Sequence, residues 1–556
     1  MLGHAAELKH EDLFNPNRIL EIAIDLPESD WKELCSQSRD FRSAFANPSA
    51  KPFSYFKGDI AINGVRVSSV GIRKKGFLGS LDENRPSLKI KFDEFIDQAP
   101  IAGMDRLTLN NNKQDNSLVS QFLTYSIFEK AGLKAPRCNY ARVTVNGDTL
   151  GLYSHVESIR KPFLERAFGK GEGILYEGTL SDFYPKAIDR LELKKGNKDR
   201  AATKINRLAE LLATDTALDL QEVEKLVDVD YFIRFWALES LIGFWDGYSN
   251  NQNNYFFYEH PDNGKFYFIP WGADGAFQGG MGMMRRMQNA ENIAVYGESM
   301  LANRLYHTAD IAERYRETMR DLLAKVWNEV TFFNEMDRID DLLGDILPET
   351  QNSYLEANLN VRDFIQTRRA KMKAMLEDWP ARIAETPRKP SYSIDRGSAV
   401  GSFETTWGNQ ANQNDSSGLE IVLDGQDVVL EGISVRAEEM PIRGFGGFGS
   451  KRNFTPPVRV SISGQRTSDG ESVSLNLLVD PKKYQSTQGQ TLDVNGSYRV
   501  GDTRGSSFFG GFGGGSLTLT GELLLEKNGL SEGAPVSGSF TLSIIEQKGG
   551  MFSRRR

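Results

Sequence analysis

Cysteine is nearly missing from this sequence. Cys35 and Cys138 are its only two, far apart and without CxxC spacing, so a disulfide framework and a thiolate zinc site are both excluded. Histidine is scarce as well, with five residues and none in HExxH spacing, and no GxSxG occurs; zinc-protease and α/β-hydrolase chemistry therefore lack their residues. No run of eighteen apolar residues exists, so no membrane-spanning helix is expected. A basic excess is lacking too: the formal net charge of −8 argues against nucleic acid, whose phosphates call for a cationic footprint. The opening MLGHAAELKHEDLF has neither a basic start nor a continuous apolar stretch. It does not read as a signal peptide, so either the chain stays in the cytoplasm or an export signal has been removed.

What is present is an ordinary globular composition, 39% hydrophobic and 26% charged over 556 residues, enough for several domains. From Asn17 an alternating apolar stretch, RILEIAID, is followed by a Pro and an amphipathic run, which predicts a strand and then a helix. FKGDIAINGVRVSSVGIRKKG and SLKIKF continue the alternation, with Leu88, Ile90 and Phe92 on one strand face and Lys89 and Lys91 on the other. Asn63-Gly64 and Asn146-Gly147 mark tight hairpins. Between them SLVSQFLTYSIFEKAG has helical spacing at Leu118, Phe122 and Tyr125 and ends at Gly132. The expectation for residues 17–158 is a twisted antiparallel sheet interrupted by a helix. Residues 159–385 read as mainly helical, with one aromatic hairpin, NYFFYEHPDNGKFYFIPW, embedded. Two such lobes would leave a cleft between them. Prolines in TPRKPSYS predict a linker over 386–401, and short β-type runs over 402–550 predict a separate sandwich or barrel.

The chemistry concentrates in DGYSNNQNN, residues 246–254, where one acid and four asparagines follow the apolar run FWALESLIGFW. Asp246 is followed by Asn251 five positions on, and Asp274 comes after the hairpin. Hard oxygen ligands of this kind suit Mg²⁺, and the order base, metal-binding Asn, metal-binding Asp is that of a kinase site. Asparagines also cap helices and form turns, which is the competing reading. A cation from the first sheet would be needed over the phosphates. Lys89 or Lys91 fits that position, a solvated strand face being the alternative. Glu157 reads equally as a buried structural acid or as a nucleotide contact between the lobes. GFGGFGS, residues 444–450, matches GxGxxG but follows the acids and runs into KRNFTPPVRV, so it is not read as a phosphate loop.

Taken in order, GIRKKG with RPSLKIKF, DRLTLNNNKQDNSLVSQFLTYSIFEKAGLKAP, VTVNGDTLGLYSHVES, WDGYSNNQNNYFFYEHPDNGKFYFIPWGAD and RLYHTADIAERYRETMRDLL resemble the spore coat protein H family, the CotH-type atypical protein kinases. The resemblance spans roughly residues 17–375. It implies an α+β, bilobal, atypical kinase-like fold followed by the all-β C-terminal domain. It implies binding of ATP with Mg²⁺ or Mn²⁺ and phosphorylation of Ser or Thr on surface or coat-type proteins. By position it makes Lys89 the phosphate-contacting lysine, Asp246 the base, Asn251 a metal ligand, with Asn254 the fallback, and Asp274 the metal-binding acid. An extracytoplasmic or cell-surface location follows from the same likeness. Many members carry WDxD where this chain has Trp271-Gly272-Ala273-Asp274. That loss of the first acid keeps a second expectation open, a non-catalytic surface or coat scaffold whose β-domain does the binding. A sugar or other small-molecule hydroxyl is a third acceptor class, and Ser553 in the basic tail is a candidate autophosphorylation site.

Overall fold

The alternating stretches near the N-terminus close on themselves. In the computed structural model, which describes residues 8–39, 52–278, 293–344, 346–347, 351–408, 418–440, 457–486, 488–501 and 516–549, seven strands form a barrel. They are β1 (Leu20–Asp25), β2 (Phe56–Ile62), β3 (Val65–Lys75), β4 (Ser87–Lys91), β5 (Arg106–Asn110), β6 (Cys138–Val145) and β7 (Asp148–Val156), in the order β1-β2-β3-β4-β5-β7-β6. The expected sheet is mixed and goes further than a twist: β6 pairs parallel with β1 and closes the ring. Closure gives the alternating apolar side chains one shared interior. Ile22, Ile24, Ile60, Ile62, Ile72, Leu88, Ile90, Leu107, Leu109 and Val143 fill one interior, and no barrel edge is left unpaired. Asn63-Gly64 and Asn146-Gly147 make the two tight turns, all four residues at positive φ.

The outer face of β3–β5 carries the polar residues. Arg73 on β3, Lys89 on β4 and Thr108 on β5 are directly opposite one another, and Lys75 ends β3 two residues further along. The helix Ser120–Lys130 begins just after β5.

Beyond the barrel the chain is not purely helical around one hairpin. A four-stranded sheet ordered β11-β10-β8-β9 combines that hairpin, β10 (Tyr255–Glu259) and β11 (Phe266–Pro270), with β8 (Ile174–Gly178) and β9 (Glu192–Lys195). Helices including Lys198–Ala213, Val229–Leu241, Ile311–Lys325 and Gln351–Glu377 surround it. Together they bury the largest core, with Phe232, Trp236, Tyr255, Phe268 and Tyr315 all fully inside.

Contacts divide the chain into two units, Met1–Pro390 and Ser391–Arg556. Strand β12 runs over Tyr392–Thr406, inside the stretch expected to be a linker. Its long pairing with Pro535–Lys548 outweighs the two prolines before it. The second unit is one nine-stranded sheet with a single core, curled enough for Trp407 next to β12 to bridge Ala437 on the far edge strand. It is a half-barrel and not a sandwich. GFGGFGS and Ser553 lie outside the described residues. Among the described residues no helix is long and apolar enough to cross a membrane.

Candidate active site

The helix Val229–Leu241 ends without help from the asparagines that follow it. Its last carbonyls accept from the backbone N–H groups of Ile242, Gly243 and Phe244 and from the buried guanidinium of Arg368. The chain then turns at Trp245 into a short helix, Tyr248–Asn251. Three of the four asparagines converge on one carboxylate. Asn251 and Asn253 donate from Nδ2 to Asp246 Oδ1 at 2.5 and 3.1 Å, and Asn254 donates to Asp246 Oδ2 at 2.8 Å. Asn250 instead donates to the Trp245 carbonyl at 2.7 Å and braces the turn. Burial pushes the Asp246 carboxyl up from its ordinary range, and these amides with Arg388 hold it back. A carboxylate offers about four acceptor positions; among the described residues two side-chain amides donate to Oδ1 and one to Oδ2.

Two further acids hold the loop from beneath. Glu239 accepts from the N–H of Tyr248 at 2.9 Å and of Ser249 at 2.8 Å; burial raises its carboxyl to about 7. Asp182 accepts from Tyr248 OH and from Gln252 Nε2 at 2.8 and 2.7 Å.

Asp274 sits on a single 3₁₀ turn, Ala273–Gly275, entered through Gly272 at φ +54°. A Cβ at 272 would come within 2.9 Å of Asn254 Oδ1, so this close approach requires glycine. Burial first, and then the charges of Asp246 and Asp115, raise the Asp274 carboxyl to about 7. Asp115 is buried and engaged structurally, accepting from the N–H of Ser117 and Ser120 at the start of the Ser120–Lys130 helix, with Gln278 linking it to the Asp274 carbonyl.

The cation facing Asp274 is Lys75. Burial lowers its ammonium to about 8 against the pull of Asp274 and Glu177, and it donates to Asn110, which in turn donates to Gln121 at 2.9 Å. Lys89 lies further along the same outer barrel face. It lines a cavity of about 260 Å³ with Arg73, Arg106, Arg160 and Lys194. Burial and then the neighbouring Arg160 and Arg106 push its ammonium well down. Arg106 and Lys194 are paired, to Asp105 and to Glu177 and Glu192; among the described residues Lys89 has no carboxylate within ion-pair distance. Glu157, next to the Ser158 whose hydroxyl meets that of Thr108 on β5, accepts from Arg166 at 3.0 and 2.6 Å and from the Arg137 N–H at 3.0 Å.

The structure therefore brings Asp246, Asn251, Asn254 and Asp274 together, sets Lys89 in an adjoining cationic pocket and pairs Glu157 with Arg166. Lys75, Asp115 and Arg388 are additions. GIRKKG offered several cations, but only closure of the barrel decides which one points at Asp274.

Three comparisons bear on this arrangement. "Invasin CotH2" of Rhizopus delemar is 25% identical over 261 residues, 42% of this chain and 43% of that protein. "Inner spore coat protein H" of Bacillus subtilis is 24% identical over 244 residues, 42% of this chain and 66% of that one. The chain thus spans less than half the length of the fungal relative. The solved Helicobacter pylori "proinflammatory kinase CtkA" shares 11% identity over 52% of this chain and 92% of that one at a TM-score of 0.27, and so adds nothing to the assignment. The family model described as "CotH kinase protein" matches residues 72–372, which is more than half the chain and contains every acid of the site, and the protein belongs to that family.

Proposed function

We propose that the chain is an ATP- and divalent-cation-dependent kinase that phosphorylates Ser or Thr of surface or coat-type proteins. The observation that carries this is the pairing of Asp246, collared by three amides, with Asp274, a carboxyl raised to about 7 by burial and by its acidic neighbours, opposite Lys75. Perturbed carboxyl pairs of this kind are the mark of acid–base or metal-binding work. Mg²⁺ or Mn²⁺, when bound, would neutralise charge developing on the transferred phosphoryl group.

The donor set fits such an ion. Asp274 supplies a carboxylate, and Asn254 supplies an amide oxygen, its NH₂ being committed to Asp246. The Asn251 oxygen is turned to Arg388 at 3.3 Å, so Asn254 is the better amide ligand. Among the described residues no group of three His, Cys, Asp or Glu could hold a metal. That matches an ion completed by phosphate oxygens and water rather than by a protein cage. Asp246 Oδ2 takes the hydrogen bond of the acceptor hydroxyl and orients it. Lys75 meets the phosphate nearest Asp274, and Lys89 with Arg73 and Arg160 provides the cationic wall for the rest of the nucleotide. A coat or cell-surface setting is part of the proposal and is supported by the spore coat and invasin names of the relatives.

The orientation of the Asn251 oxygen and the glycine at 272 favour a second reading, a non-catalytic scaffold. The test is incubation with γ-labelled ATP and Mg²⁺ or Mn²⁺, with added acceptor proteins, alongside Asp246→Ala and Asp274→Ala. Label that disappears in both variants supports the kinase. No label, together with no rise in melting temperature on adding ATP and metal, supports the scaffold.

A further inference from the structure

The loop that carries Asp246 is backbone-strained. Gln252 has φ +55°, in the left-handed region that costs a residue of its kind roughly 1–2 kcal/mol; Asn254 at φ +50° is of the type that adopts it readily. Such strain persists only where surrounding contacts over-determine it. On one side the contacts come from Asp182. On the other they come from a residue outside the family match, which ends at 372.

That residue is Arg388, buried at 6% exposure. It holds Gln252 reciprocally: its Nε donates to Gln252 Oε1 at 3.0 Å, and its carbonyl accepts from Gln252 Nε2 at 2.7 Å. Its Nη2 donates to Asn251 Oδ1 at 3.3 Å, which leaves the Asn251 NH₂ directed at Asp246. The Arg388 charge also draws the Asp246 carboxyl downward. The segment is fixed along its length: Arg388 N–H donates to the Glu298 carbonyl, Asn303 donates to the Ala384 carbonyl at 2.8 Å and Tyr306 to the Ala381 carbonyl at 3.0 Å.

We propose that Arg388 is a positioning residue of the catalytic loop, setting the Asn251 amide and the Gln252 backbone so that Asp246 faces the acceptor hydroxyl. The stretch joining the two units thereby belongs to the working part of the catalytic unit. The guanidinium fork is what the geometry uses, since one plane reaches Asn251 and Gln252 together, and a lysine cannot do both. The proposal rests on Asp246 being the base, and its test keeps the two claims apart.

In the full-length protein, Arg388→Met and Arg388→Lys are compared with wild type. Both are expected to lower kcat on the order of 10- to 100-fold, as loss of outer supporting bonds does, with KM for ATP changed by less than about threefold. Independently of turnover, hydrogen exchange at the Asn251 and Gln252 amides rises in both variants while the barrel amides stay protected. Local exchange in a protein that transfers no label would sustain the positioning role and sink the kinase reading. Wild-type rates and exchange in both variants would overturn the proposal, as would exchange that rises equally throughout the first unit, because that marks a general stability role.

Discussion

Asp274→Asn is expected to stabilise the protein while ending its activity. The folded chain holds the Asp274 proton more tightly than the unfolded chain, its carboxyl standing at about 7 against an ordinary 3.8. A raised carboxyl contributes most at low pH, and that contribution is lost as pH climbs from about 4 through about 7. A rise from 3.8 to about 7, at about 1.4 kcal/mol per unit, corresponds to roughly 4 kcal/mol as an upper bound. Solvent reaching the half-buried carboxyl brings the expected effect down to about 1–2 kcal/mol at pH 8. Asparagine keeps the shape without the charge, so the gain should be largest at pH 8 and smaller at pH 5. Urea unfolding without divalent cations, followed by tryptophan fluorescence, reads this out, because six of the seven tryptophans lie in the first unit. Added Mg²⁺ with ATP should restore stability to the wild type at pH 8 and do little for the variant. A variant less stable than wild type, or one whose gain is the same at both pH values, would refute the picture of Asp274 as a carboxyl held against its neighbours' charge.

Lys75→Met should cut phosphoryl transfer more deeply than Lys89→Met, which should act mainly on KM for ATP; steady-state kinetics with equal kcat losses in the two would undo the assignment of Lys75 to the phosphate nearest Asp274. Gly272→Ala is expected to cost about 1–2 kcal/mol from its φ of +54° alone and to lower kcat by displacing Asn254, measured by melting temperature and initial rate. Gly272→Asp, which restores the family's WDxD pattern, should likewise slow the enzyme, and a faster Gly272→Asp variant would show that the missing acid mattered. Glu157→Gln weakens the charged hydrogen bonds to Arg166, which keeps Glu129 and the Ala135 carbonyl as partners, and should destabilise by about 1.5–3 kcal/mol with ATP affinity unchanged, calorimetric titration being the check.

The strand alternation around Ile22, Ile60 and Ile90 and the two Asn-Gly turns were legible because period-two patterning and positive-φ dipeptides act locally. Ring closure was not, since the parallel β1–β6 pairing joins segments more than a hundred residues apart and no local pattern encodes it. The strands β8 and β9 escaped notice for a related reason: they are five and four residues long and sit among helical stretches. At the site, the convergence of Asn251 and Asn254 on Asp246 was readable because all three sit within nine residues of one loop. Lys75 and Arg388 were not, because their roles depend on where a barrel face and a returning segment happen to point. The prolines flanking Arg388 read as a linker, and the same residues that end helical periodicity also route the chain back across the helix Met300–Tyr306.

The density of asparagine in 246–254 follows from charge. Asp246, Asp274 and Asp115 already interact across the site, and each further carboxylate in such a low-dielectric pocket would raise the others and oppose ionisation of the base. Amides supply the same hydrogen bonds without adding charge. They donate to Asp246, holding it ready to accept, and at Asn254 they leave an oxygen toward the place where a cation fits. Glycine at 272 extends the same logic: it removes a fourth acid and, lacking a Cβ, lets Asn254 close on the turn that carries Asp274. On this reasoning the number of acids the loop retains is set by how many can stay ionised together in one buried pocket.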